Sequence, residues 1–133
     1  MAPKPPTSVS LTWEGDLRFS SGPDEPALVL DSAGAAGPSP MQVMGYAILG
    51  CMAMDVVHIL QKGRHPLESL RCAFVGERAQ EDPRRFVRVR LTFQVGGNVP
   101  REATERAVQL SRDKYCSAWN TVNPDIPFEY AIE

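Results

Sequence analysis

Cys51, in the stretch MGYAILGCMAMDVVHIL, and Cys116, in AVQLSRDKYCSAW, stand 65 residues apart in a chain of 133 residues. Two thiols carried on helix-like segments are the minimum set for reversible cysteine redox chemistry. One sulfur takes an oxygen from an oxidant, and the other closes a disulfide that a reductant later opens. The chemistry requires the two thiols to meet in space. The third cysteine, Cys72, alternates with Leu70 and Phe74 on an apolar strand and reads as core.

Neither reactive candidate is activated by its own helix. Cys51 lies about 16 Å beyond the Pro40 start of its helix, and the macrodipole fades within the first turn. Burial alone would raise its pKa, so a cation must come from elsewhere in the fold or from a partner subunit. Cys116 follows a helix that ends with Arg112 and Lys114. The dipole there disfavours a thiolate, which suits a resolving thiol better than an attacking one. Asp55 and His58 follow Cys51 on the same helical side, but without a second histidine nearby they read as structural, and no metal is assigned. Gly96-Gly97-Asn98 lacks phosphate-loop spacing, and no G-x-S-x-G segment supports a serine hydrolase.

The elements that must position these thiols are legible in outline. Residues 1 to 7 read as a flexible proline-rich tail. Val9, Leu11 and Trp13 alternate with polar residues and predict a half-buried strand. Gly15-Asp16 and Ser21-Gly22-Pro23-Asp24 then turn the chain through strands at Leu17–Ser20 and Ala27–Leu30. Ser39 and Pro40 open a helix that runs to Lys62 and stops at Gly63. It is apolar nearly all round, which predicts burial on most sides. Gly45 and Gly50 within it predict close approach to another backbone. A hairpin follows, its second strand placing Val87, Val89, Leu91, Phe93 and Val95 opposite Arg88, Arg90, Thr92 and Gln94. Pro100 opens a second helix, the chain passes through Asn120 and Asn123-Pro124, and Phe128–Ile132 forms a last strand. The order is β-β-β-α-β-β-α-β, an α+β domain spanning residues 1–133.

Bulk properties exclude other classes. A net charge of −2 argues against nucleic acid or an anionic membrane as partner, and Arg88 and Arg90 read as a solvated strand face. No apolar run reaches the length of a membrane span, and MAPKPPTSVS has no apolar stretch of the kind a secretory signal needs. Three cysteines cannot all pair, which points to a reducing cytoplasmic setting where any disulfide is transient.

Three patterns together resemble the OsmC/Ohr family of osmotically inducible and organic hydroperoxide resistance proteins. They are Ser39-Pro40 with Gly45-Tyr46-Ala47 and Gly50-Cys51-Met52-Ala53-Met54-Asp55-Val56; Arg106-Ala107-Val108 with Lys114-Tyr115-Cys116-Ser117; and Phe128-Glu129-Tyr130-Ala131-Ile132-Glu133. The resemblance implies an intertwined homodimer with two helices against antiparallel sheets. It also implies a thiol peroxidase in which Cys51 attacks a small-molecule hydroperoxide and Cys116 resolves the sulfenic acid. A dithiol or thioredoxin-type donor restores the pair, with no bound cofactor. The activating cation of the family is an arginine from the N-terminal strands held by a glutamate. Arg18 is the only arginine of the meander, and Met41 stands at the glutamate's position. These departures resemble the YhfA-type branch. They leave open a ligand-binding or redox-sensing dimer, favoured by adaptable Met41, Met44, Met52 and Met54, and a structural dimer with inert thiols.

Overall fold

In the computed structural model, which describes residues 3–122 and 125–133, the chain forms two compact units, one running to Met44 and the other Gly45–Glu133. The first unit is a three-stranded antiparallel meander of β1 (Leu11–Trp13), β2 (Arg18–Ser21) and β3 (Val29–Asp31). Gly15, at φ +104°, and Asp16, at φ +48°, supply the left-handed turn that the Gly15-Asp16 pair predicts. Regular pairing starts only at Leu11, and Val9, Leu11 and Trp13 are all exposed rather than half-buried. The strand's alternation is real, but in the single chain its apolar face lies open. Residues 3–10 are exposed and carry no regular structure.

Helix α1 (Pro40–Lys62) has the predicted bounds. The Ser39 hydroxyl accepts the Gln42 N–H at 3.2 Å, and Gln42 Oε1 accepts the Ser39 N–H at 2.9 Å, a reciprocal capping box. Its burial is narrower than its composition predicts. Gly45, Ile48, Met52, Val56 and Leu60 form one buried stripe at helical spacing, whereas Met44, Tyr46 and Met54 are exposed. By length and composition α1 could cross a membrane, contrary to the reading of the sequence; an apolar core helix passes the same test, and the buried stripe marks α1 as one. Gly45 does fit a close approach, but to a side chain: an added Cβ would lie 3.0 Å from the Phe74 ring. Gly50 faces open space.

Strands β4 (Leu67–Arg78) and β5 (Phe86–Gly97) form the predicted hairpin, with Cys72 opposite Phe93 and Phe74 opposite Leu91. The last strand, β6 (Phe128–Ile132), pairs with β5 in parallel, Leu91 opposite Tyr130, so this sheet is mixed rather than antiparallel. The reason is the long helical crossover between β5 and β6, the kind of connection that parallel neighbours require. That crossover holds α2 (Arg101–Leu110), a π-helical turn (Ser111–Tyr115) and α3 (Ser117–Thr121), where the sequence suggested one helix. Asn123-Pro124, read as part of the passage to the last strand, lies outside the described residues. The core joins the α1 stripe to Val89, Leu91 and Phe93 of β5, Ala107 and Val108 of α2, and Cys116 and Trp119. Arg88 and Arg90 lie on the exposed face, Arg88 paired with Glu129 of β6.

Candidate functional site

The structure brings Cys51 and Cys116 together. Cys51 sits at the edge of the buried stripe of α1, half-buried and packed against the core, while Cys116 is wholly buried. Both are free thiols, and Cys51 is a close enough neighbour to perturb the Cys116 thiol. The thiol of Cys116 is pushed up to about 12, first by burial and then by the neighbouring Cys51 and Asp55; the Trp119 N–H opposes the rise. At neutral pH Cys116 is therefore protonated.

Its backbone setting differs from the helix C-terminus expected. Cys116 closes the π turn, donating its N–H to the Ser111 carbonyl at 2.7 Å, and is at once the N-cap of α3, its Sγ accepting the Trp119 N–H at 3.3 Å. An N-cap sulfur favours a thiolate, yet burial wins here, so the residue stays suited to resolving by a different cause than the dipole. Asn120 steadies the turn, its Nδ2 donating to the Cys116 carbonyl at 2.8 Å and to the Arg112 carbonyl at 3.1 Å. Trp119 of α3 is buried and packs at a tilt of 57° against Phe128 with ring centroids 5.1 Å apart, anchoring α3 to β6.

Asp55, one helical turn after Cys51, accepts the Ser111 hydroxyl at 2.7 Å. The sequence suggested a structural role in capping or in a dimer; the partner lies in the same chain, on the segment that carries Cys116. Beyond Asp55 a cleft of about 430 Å³ is lined by His58, Ile59, Lys62, Leu110 and Tyr115. His58 is exposed, and among the described residues no three His, Cys, Asp or Glu side chains could hold a metal. Cys72 is less enclosed than a core residue: it lines a shallow apolar groove with Met54, Val57 and Leu70, and burial raises its pKa.

Arg18 belongs to the other unit, on β2, where its cross-strand neighbour is Asp31. Asp31 is buried and accepts the N–H groups of Ala36 at 2.9 Å and Ala33 at 3.0 Å. Those bonds hold its carboxyl below the ordinary range, with the Arg18 charge as a smaller cause. Met41 offers no such group, and the Gln42 amide is engaged in the capping box.

The thiol pair, the crossover and all but the last residue of the terminal strand fall within residues 32–131, which match the family pattern described as OsmC-like protein. The chain belongs to the OsmC-like protein family. It is 40% identical over 108 residues to Protein YhfA of Escherichia coli (strain K12), covering 79% of this chain and 81% of that protein. Among solved structures it is similar to a hypothetical protein from Aquifex aeolicus VF5, with a TM-score of 0.89 at 26% identity over 98% of this chain and 96% of the other. The Organic Hydroperoxide Resistance Protein OhrB of Bacillus subtilis shares the fold, with a TM-score of 0.68 at 12% identity over 96% and 98% of the two chains.

Proposed function

We propose that this OsmC-like protein is a thiol-dependent peroxidase acting on organic hydroperoxides or hydrogen peroxide. The Cys51 thiolate attacks the peroxide oxygen, forming an S–O bond as the O–O bond breaks; the departing alkoxide takes a proton and leaves as alcohol or water. The Cys116 sulfur then attacks the sulfenic sulfur. An S–S bond forms, and the hydroxyl leaves as water with the Cys116 proton. An external dithiol reduces the disulfide and is itself oxidised to one.

The observation that carries this reading is the unequal exposure of two interacting thiols. A peroxide can reach half-buried Cys51, while wholly buried Cys116 meets the oxidised Cys51 and not the solvent. The role of Arg18 as activating cation comes from the family resemblance, and Arg18→Met tests it by the rate of Cys51 oxidation. The homodimer is supported by exposed Tyr46 and Met54 on α1 and by exposed Val9, Leu11 and Trp13 near the N-terminus. A cytoplasmic setting suits a disulfide that opens and closes.

A second reading, a ligand-binding or redox-sensing dimer without turnover, is favoured by Met41 at the family's glutamate position and by the engaged Gln42 amide. Peroxide consumption with a dithiol donor separates the two. Sustained turnover that is lost in Cys51→Ser supports the peroxidase; a single disulfide closure without turnover supports the sensor.

A further inference from the structure

Along the crossover, the residues turned into the core are Thr104, Ala107, Val108 and Ser111, a helical progression. Continued as an α-helix, that progression would next turn residue 115 inward. Instead Tyr115 is half exposed and Cys116 is wholly buried, because the π turn inserts one residue between Ser111 and the next inward position. The turn therefore decides which residue faces Cys51: a thiol with it, a phenol without it. It also displaces the Arg112 carbonyl from the bond that an α-helix would give it with Cys116, and Asn120 supplies a donor in its place.

What holds Ser111 lies on α1. Its hydroxyl, on a residue with no exposed surface, donates to Asp55 Oδ2, and Asp55 follows Cys51 by one turn on the same side of that helix. Helix α1 thus meets the crossover at two successive levels, Cys51 against Cys116 and Asp55 against Ser111. We infer that Asp55 and Ser111 are positioning residues whose hydrogen bond locks the π turn and so presents the Cys116 sulfur to Cys51. The lock concerns disulfide closure by any oxidant; its place in catalysis rests on the peroxidase reading above.

The test uses diamide rather than peroxide. Two thiols lose two electrons and two protons to the azo group, which becomes a hydrazine, as the Cys51–Cys116 bond closes. Closure is followed by mass spectrometry in the full-length protein, alongside iodoacetamide labelling of Cys51. Ser111→Ala and Asp55→Ala slow closure by about tenfold, while Cys51 labelling changes by no more than about twofold; Asp55→Asn, which can still accept the serine hydroxyl, returns closure to within about threefold of wild type. Loss of closure in Asp55→Asn equal to that in Asp55→Ala overturns the lock, as does wild-type closure in Asp55→Ala. Asp55 is only partly buried, so its variants carry the test if the buried Ser111→Ala does not fold. A protein that closes the bond with diamide but consumes no peroxide contradicts the peroxidase reading alone.

Discussion

Wholly buried Cys116 lies against half-buried Cys51, so the two neighbouring thiols differ in their access to solvent. That difference in exposure orders the events of the proposed reaction, since Cys51 is the sulfur with a path to solvent.

Cys116→Ser is expected to separate the two steps. One equivalent of hydroperoxide should still convert Cys51 to a sulfenic acid, which dimedone traps and mass spectrometry locates. Turnover with a dithiol should fall by about tenfold or more, because the internal resolving step is gone. Cys51→Ser should abolish both signals.

The same buried thiol makes stability depend on pH. Folding raises it from an ordinary 9.0 to about 12. The folded state therefore holds a proton that the unfolded chain releases between those values, and stability falls as pH rises through that window. The contribution is fully present below 9.0 and lost on approaching about 12, with a ceiling of about 4 kcal/mol. Urea denaturation at neutral pH and at about pH 10.5 should show a larger loss for wild type than for Cys116→Ser, which has no thiol to titrate there.

Much of this was legible in the residues. Alternation and turn glycines give the meander, the hairpin and the bounds of α1, because those signals are local. The parallel pairing of β6 was not, because strand direction is set by a crossover of some thirty residues and not by the strand's own pattern. Nor was the π turn. Its trace in the sequence is the five-residue step from Ser111 to Cys116, which breaks the helical spacing of Thr104, Ala107, Val108 and Ser111. Asp55 was visible as an acid on an apolar helix, but its partner lies 56 residues away, and no local rule finds it. The all-round apolar character of α1 was read correctly as composition and too broadly as burial, since composition does not say which faces a single chain covers.

Gly45→Ala tests the packing of α1 on the hairpin. The added methyl would stand 3.0 Å from a Phe74 ring that is itself set edge-on to Phe86, with centroids 5.4 Å apart. Overpacking should outweigh the gain in helix propensity and lower stability by about 1–3 kcal/mol, measured by urea denaturation. Phe74→Leu in the same chain should recover part of that loss.

The open apolar face of α1 gives a test of assembly. Met54 is 74% exposed in the single chain. Were the protein a monomer, Met54→Lys would change stability by no more than about 0.5 kcal/mol. As a dimer through this face, wild type should sediment at twice the chain mass, and Met54→Lys should shift it toward the monomer while the secondary structure, followed by circular dichroism, is retained.

The most direct measurement is peptide mass spectrometry of the reduced protein after one equivalent of cumene hydroperoxide, with free thiols blocked before digestion. The expected result is a Cys51–Cys116 crosslink, loss of the peroxide, and return of both free thiols on adding a dithiol. Both cysteines recovered as free thiols with the peroxide intact would contradict it.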